Sequence, residues 1–88
     1  MSQGVKDIVT TNEGHQVHHL VLAQEVSFFN KASVLNALDV IPENSKVIID
    51  CTHSKSIAYD VLEIIQNYKI NAKTKNITVE TINFIEPK

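Results

Sequence analysis

The single cysteine, Cys51, has no other cysteine in the 88-residue chain to pair with. That excludes an internal disulfide and the small secreted scaffolds built on one, so a reducing compartment is expected. No apolar run approaches the roughly 20 residues that cross a bilayer, and the start MSQGVKD carries no signal-peptide pattern. Taken alone, the chain is expected to be soluble. Glycine is scarce as well: Gly4 and Gly14 are the only two, which leaves no Gly-rich loop to cradle a phosphate. Charge of one sign is also lacking, since 8 basic residues stand against 10 acidic ones for a net charge of -2. Such a balance gives no electrostatic footprint for nucleic acid.

What is present is a chain that is 43% hydrophobic, which excludes global disorder. Its length supports one domain, because a chain this short buries only about 60 to 65% of its unfolded surface. The fold is expected to occupy the whole chain apart from terminal segments at residues 1–4, expected to be disordered or foreign to the natural protein, and a tail at 85–88.

Residues 46–69, KVIIDCTHSKSIAYDVLEIIQNYK, organise the rest. Val47, Ile48 and Ile49 form an apolar run without alternation, the pattern of a strand covered on both faces. Cys51 to Ser56 supply a polar loop. Ile57, Val61, Ile64, Ile65 and Tyr68 then recur on one helix face, opposite Asp60, Glu63, Gln66, Asn67 and Lys69. The spacing predicts a helix from about residue 57 to 71. A loop that leads from a strand's carboxyl end into a helix is the default place for ligands and regulation in α/β proteins.

Upstream, residues 5–11 read as a first strand, and Asn12, Glu13 and Gly14 as a hairpin turn. Residues 16–22 form a second strand with apolar side chains on both faces, which places it inside the sheet. Val26, Phe28 and Phe29 are expected to pack inward, and Asn30 to cap a helix whose stripe is Ala32, Val34, Leu35, Leu38 and Ile41. Pro42 ends that helix. Residues 77–84 form a last strand in which Ile77, Val79 and Thr81 alternate with Thr78, Glu80 and Ile82. The order β-β-α-β-α-β implies right-handed crossovers, a parallel arrangement of the last three strands and an antiparallel first strand. The expected fold is thus a four-stranded mixed α/β sheet with its helices mainly on one face. The other face is expected to be exposed or covered by a terminal segment or partner.

Chemistry has few candidates. Asp50 at a strand end resembles a phosphoacceptor position, but the additional carboxylates and the lysine of receiver-type chemistry are missing. A carboxylate accepting loop amides accounts for it. Cys51 and His53 lie too close in sequence for the usual nucleophile and base arrangement. His15, His18 and His19 do not converge as zinc ligands, because alternate strand residues point to opposite faces. Asp60 carries more weight. It falls in the first helical turn, where a negative charge meets free amides and the positive end of the helix dipole, worth about 0.3 to 1 kcal/mol. Ser54 and Ser56 lie just before it, where a phosphate would find the same amides.

The segments HHLVLAQEVSFFNKASVLNALDVIPENSKVIID and VIIDCTHSKSIAYDVLEIIQNYK, with this element order, resemble a STAS domain. Bacterial anti-sigma-factor antagonists share that module with the cytoplasmic C-terminal regions of SulP-type anion transporters. The likeness spans roughly residues 16–79, and VSFFNKA and SKVIID bring it closest to the transporter branch. Antagonist members carry an Asp-Ser-Ser-Gly-like loop with a phosphorylated serine. The matching positions here are Ala58, Tyr59, Asp60 and Val61, so Asp60 replaces the phosphoacceptor. The resemblance implies a non-catalytic regulatory and assembly domain on the cytoplasmic side of a sulfate, bicarbonate or related anion transporter, either excised or separately encoded. Ser54, Ser56, Tyr59 and Asp60 would be its regulatory positions. Its expected partners are the transmembrane domain of its own transporter, a second copy, or another regulatory protein. No cofactor is expected; nucleotide has been proposed for such domains but finds no phosphate loop here. A free-standing antagonist-like switch protein is the alternative.

Overall fold

The computed structural model describes residues 4–85. Two strands, β1 (Val5–Asn12) and β2 (His15–Leu22), are followed by a two-residue strand β3 (Glu25–Val26) and helix α1 (Lys31–Asp39). Then come β4 (Lys46–Asp50), a second two-residue strand β5 (Ser56–Ile57), helix α2 (Tyr59–Asn71) and β6 (Thr78–Ile82). The main sheet has the order β1-β2-β4-β6; β1 is antiparallel to β2, and β2, β4 and β6 run parallel. This is the mixed four-stranded sheet that the pattern predicts. The β1-β2 turn puts both Glu13 and Gly14 at positive φ, 53° and 82°, the backbone twist that suits a two-residue hairpin.

Burial alternates along the two central strands. His18, Leu20 and Leu22 of β2 and Val47 and Ile49 of β4 are buried, whereas Val17, His19, Val21, Lys46, Ile48 and Asp50 are half-buried. Val34 and Leu38 of α1, with Val61 and Ile65 of α2, complete the core with the buried set. The helices therefore cover one face. The expectation that β4 is covered on both faces fails at Ile48: its register partners His19 and Glu80 share an open face with it. An unbroken apolar run did not signal double coverage, because a β-branched residue also suits a pleated surface left partly wet.

Three further expectations need correction. Of the inward set, Val26 is 1% exposed, but Phe28 and Phe29 are 55% and 83% exposed. They lie in a 3-10 turn, Phe28–Asn30, and their rings pack against each other with centroids 4.4 Å apart instead of entering the core. Asn30 is the N-cap residue of α1, as expected, but its side chain does not bond to the helix amides: its Oδ1 accepts from the Ser27 amide at 2.9 Å and from the Ser27 hydroxyl at 3.2 Å, closing the turn before the helix. In α1, Ala32 and Leu35 are exposed, since this nine-residue helix buries only the narrow stripe of Val34 and Leu38, with Ile41 just after it.

Gly4, expected in a terminal tail, is buried and accepts a 2.8 Å hydrogen bond from the Ala23 amide. Its φ is +82°, and a Cβ would lie 2.8 Å from both Cβ and Cγ of Asn30. Residues 1–3 and 86–88, the rest of the expected tails, lie outside the described residues. Gly4→Ala is expected to lower unfolding free energy by about 1 to 2 kcal/mol in urea titrations, from left-handed strain and the clash together. An unchanged midpoint would show that the first strand's entry relaxes freely.

Candidate functional site

The loop between β4 and α2 is built by hydrogen bonds to two neighbouring segments. Asp50 ends β4, and its Oδ1 accepts from the Thr52 amide at 2.9 Å, the local role that sequence reasoning assigned to it. The Cys51 amide continues the β4-β6 ladder by donating to Ile82 O at 2.9 Å, and the Ser54 amide turns back onto Cys51 O at 3.1 Å. From there the chain is tied to the segment after β2. The Ser54 hydroxyl donates to Ala23 O at 2.7 Å, Lys55 N donates to Gln24 O at 2.8 Å, and Ala58 N donates to Val26 O at 2.7 Å. These bonds form the small parallel pair β3-β5, in which Glu25 faces Ser56 and Val26 faces Ile57. Ile57 is consequently a strand residue, and α2 begins at Tyr59 rather than at about residue 57.

At the helix start, Val61 N and Leu62 N both turn back to Ala58 O, at 3.0 and 3.1 Å. Ala58 has no side chain able to cap, so the acidic group of the first turn is Asp60. It is exposed and lies 3.4 Å from Lys31 Nζ. An exposed pair of this kind contributes at most about 1 kcal/mol, comparable with the dipole effect on the same carboxylate. Tyr59, 52% exposed, stands beside it. Of the four residues singled out by sequence, Tyr59, Asp60 and Ser56 therefore present accessible side chains. Ser54 is half-buried with its hydroxyl committed to Ala23.

Sequence reasoning missed the exposed Phe28-Phe29 pair. Two adjacent large rings rarely both enter a core that a short segment lines from one side, so the doublet itself was a usable signal. It also missed a polar cluster on the sheet. His18, 4% exposed, lies between Asp7 Oδ2 at 3.2 Å and Gln16 Oε1 at 3.0 Å. His19, on the open face, lies 3.3 Å from Asp50 Oδ2. His15 stands apart, with Nδ1 3.2 Å from Asn44 O. The three histidines thus have three separate environments, and no cluster of three or more metal-ligating side chains occurs among the described residues.

The electrostatics at the end of β4 follow from these contacts. Hydrogen bonds from Thr52, with a smaller contribution from His19, hold the Asp50 carboxyl below its usual range. Burial, followed by the Asp50 charge, pushes the Cys51 thiol up to about 11. Cys51 is buried and His53 exposed, so the arrangement provides a protonated thiol rather than an activated nucleophile. What the loop offers is an accessible acidic helix start flanked by exposed aromatic rings. Comparison with known proteins found no matching family model, no matching curated protein and no matching solved structure.

Proposed function

We propose that this chain is a non-catalytic regulatory and assembly domain, resembling a STAS domain, on the cytoplasmic side of a SulP-type transporter for sulfate or a related inorganic anion. The observation that carries the reading is the placement of Asp60. It sits in the first turn of the helix that follows the central strand β4, the position that the resemblance matches to the phosphorylated serine of antagonist STAS domains. The β-β-α-β-α-β order of the main elements supports it, as does the exposed surface of Tyr59, Phe28 and Phe29 at the same end of the sheet. In this reading a fixed carboxylate replaces a reversible phosphate, and the loop contacts the transporter's membrane domain or a regulatory protein. No helix among the described residues is long and apolar enough to cross a membrane; in this reading the spans lie in the transporter's other part. A free-standing antagonist-like switch is the second reading, supported by the exposed Ser56 hydroxyl two residues before Ala58.

Asp60→Ser separates a regulatory role from a structural one. Its effect on stability is expected to stay within about 1 kcal/mol, because serine also serves near a helix start. Anion uptake by the full-length transporter carrying the same change is expected to shift in rate or in its response to regulation. Unaltered uptake, with the variant present at normal levels in the membrane, removes Asp60 from the regulatory site.

A further inference from the structure

Helices α1 and α2 border a groove of about 310 Å³, within the range of small-ligand sites. Leu35, Leu38, Ile64 and the Tyr68 ring are among its apolar lining, and Asp39 and Lys75 are its charged residues. Two features are unexplained by folding alone. The Tyr68 hydroxyl is buried yet has no hydrogen-bond partner among the described residues, and leaving such a group unsatisfied costs about 1 to 3 kcal/mol. Asp39 stands in the last turn of α1, where the helix dipole disfavours an acid, and makes no ion pair among the described residues. Neither group is placed where stability alone would put it.

We propose that the α1-α2 groove binds a small organic ammonium compound. The apolar body lies against Leu35, Leu38, Ile64 and the Tyr68 ring, and the ammonium group pairs with the Asp39 carboxylate. The proposal is independent of the transporter reading. The carboxyl end of α1 adds partial negative charge beside Asp39, which favours a cation further. Consistent with this, the Tyr68 hydroxyl is pushed above its ordinary range, by burial first and then by the charge of Asp39. Lys75 lies at the rim, but it is the Asp39 charge that the Tyr68 hydroxyl senses. Leu35, 43% exposed on a helix that otherwise buries its leucine, gains a covering when the groove is filled.

The test is an NMR titration of the whole 88-residue chain with phenethylammonium, and with 2-phenylethanol and phenylacetate as neutral and anionic controls of similar shape. The ammonium compound is expected to saturate with a dissociation constant on the order of 1 mM, reasonable for so few atoms. Shifts should centre on Leu35, Leu38, Ile64 and Tyr68. It should bind about fivefold or more tightly than either control. Asp39→Asn, which relieves an unfavourable helix-end charge and so keeps the fold, is expected to reduce the ammonium compound to the alcohol's affinity. Equal binding of the carboxylate, shifts centred away from the groove, or no saturation by about 10 mM would overturn the proposal.

Discussion

Ile49→Ala is expected to lower the unfolding free energy by about 2 to 5 kcal/mol, while Ile48→Ala, one residue earlier, costs less than about 1.5 kcal/mol. Both are isoleucines in the middle of the same strand, and side-chain identity cannot distinguish them. Ile49 is 1% exposed and faces the helices, with Leu20 and Thr81 as register partners. Its truncation opens a cavity in a core with few residues to collapse around it. Ile48 is half-buried on the open face between His19 and Glu80, so its loss removes a partial contact and leaves no enclosed void. Paired urea titrations of the two variants measure the difference. Equal costs would mean that both faces of β4 are covered, contrary to the single-sided arrangement. With a total stability of about 5 to 10 kcal/mol for a domain of this size, Ile49→Ala removes a large share of it.

Cys51 is expected to react with a thiol reagent at pH 8 about 100-fold more slowly in the folded chain than in urea. Only the thiolate attacks, and a pKa raised from 9.0 to about 11 reduces the thiolate fraction about 100-fold at that pH, before access is considered. Burial at 3% exposure slows the reaction further. The same shift makes a claim about stability. The folded state keeps its proton over a range in which the unfolded chain has lost it, so this contribution is fully present below about pH 9 and is lost as the pH rises toward about 11. Tyr68 shifts in the same direction and adds to the alkaline loss. Reagent kinetics with and without urea test the first statement; a native rate equal to the unfolded one would place Cys51 in an open, reactive setting.

The sequence made some of this architecture legible because the relevant signal was local. In α2, Val61 and Ile65 recur at helical spacing and are the two residues that the helix fully buries. In β6 the alternation of Val79 and Thr81 with Thr78, Glu80 and Ile82 reproduces the observed half-buried and exposed positions. Asp60 at a helix start and Asp50 as an acceptor of a loop amide were equally readable, since both are settled within a few residues. What escaped depends on distant partners. The β3-β5 pair exists because Gln24 O and Val26 O receive amides from about 30 residues further on. Gly4 is held by Ala23 and by close approach to Asn30, and Ile48 is half-buried because α1 and α2 pack on the opposite face of the sheet. The burial of His18 follows from Asp7 and Gln16 meeting its two ring nitrogens, an arrangement that hydropathy alone does not encode.

The regulatory-domain reading rests on a charged helix start and an adjoining aromatic surface. The coding sequence around these 88 residues tests it most directly. The account predicts that the same reading frame, upstream of this segment, encodes about ten or more apolar stretches of roughly 20 residues each. An independent frame beside a protein-kinase gene would contradict it and favour the free-standing switch.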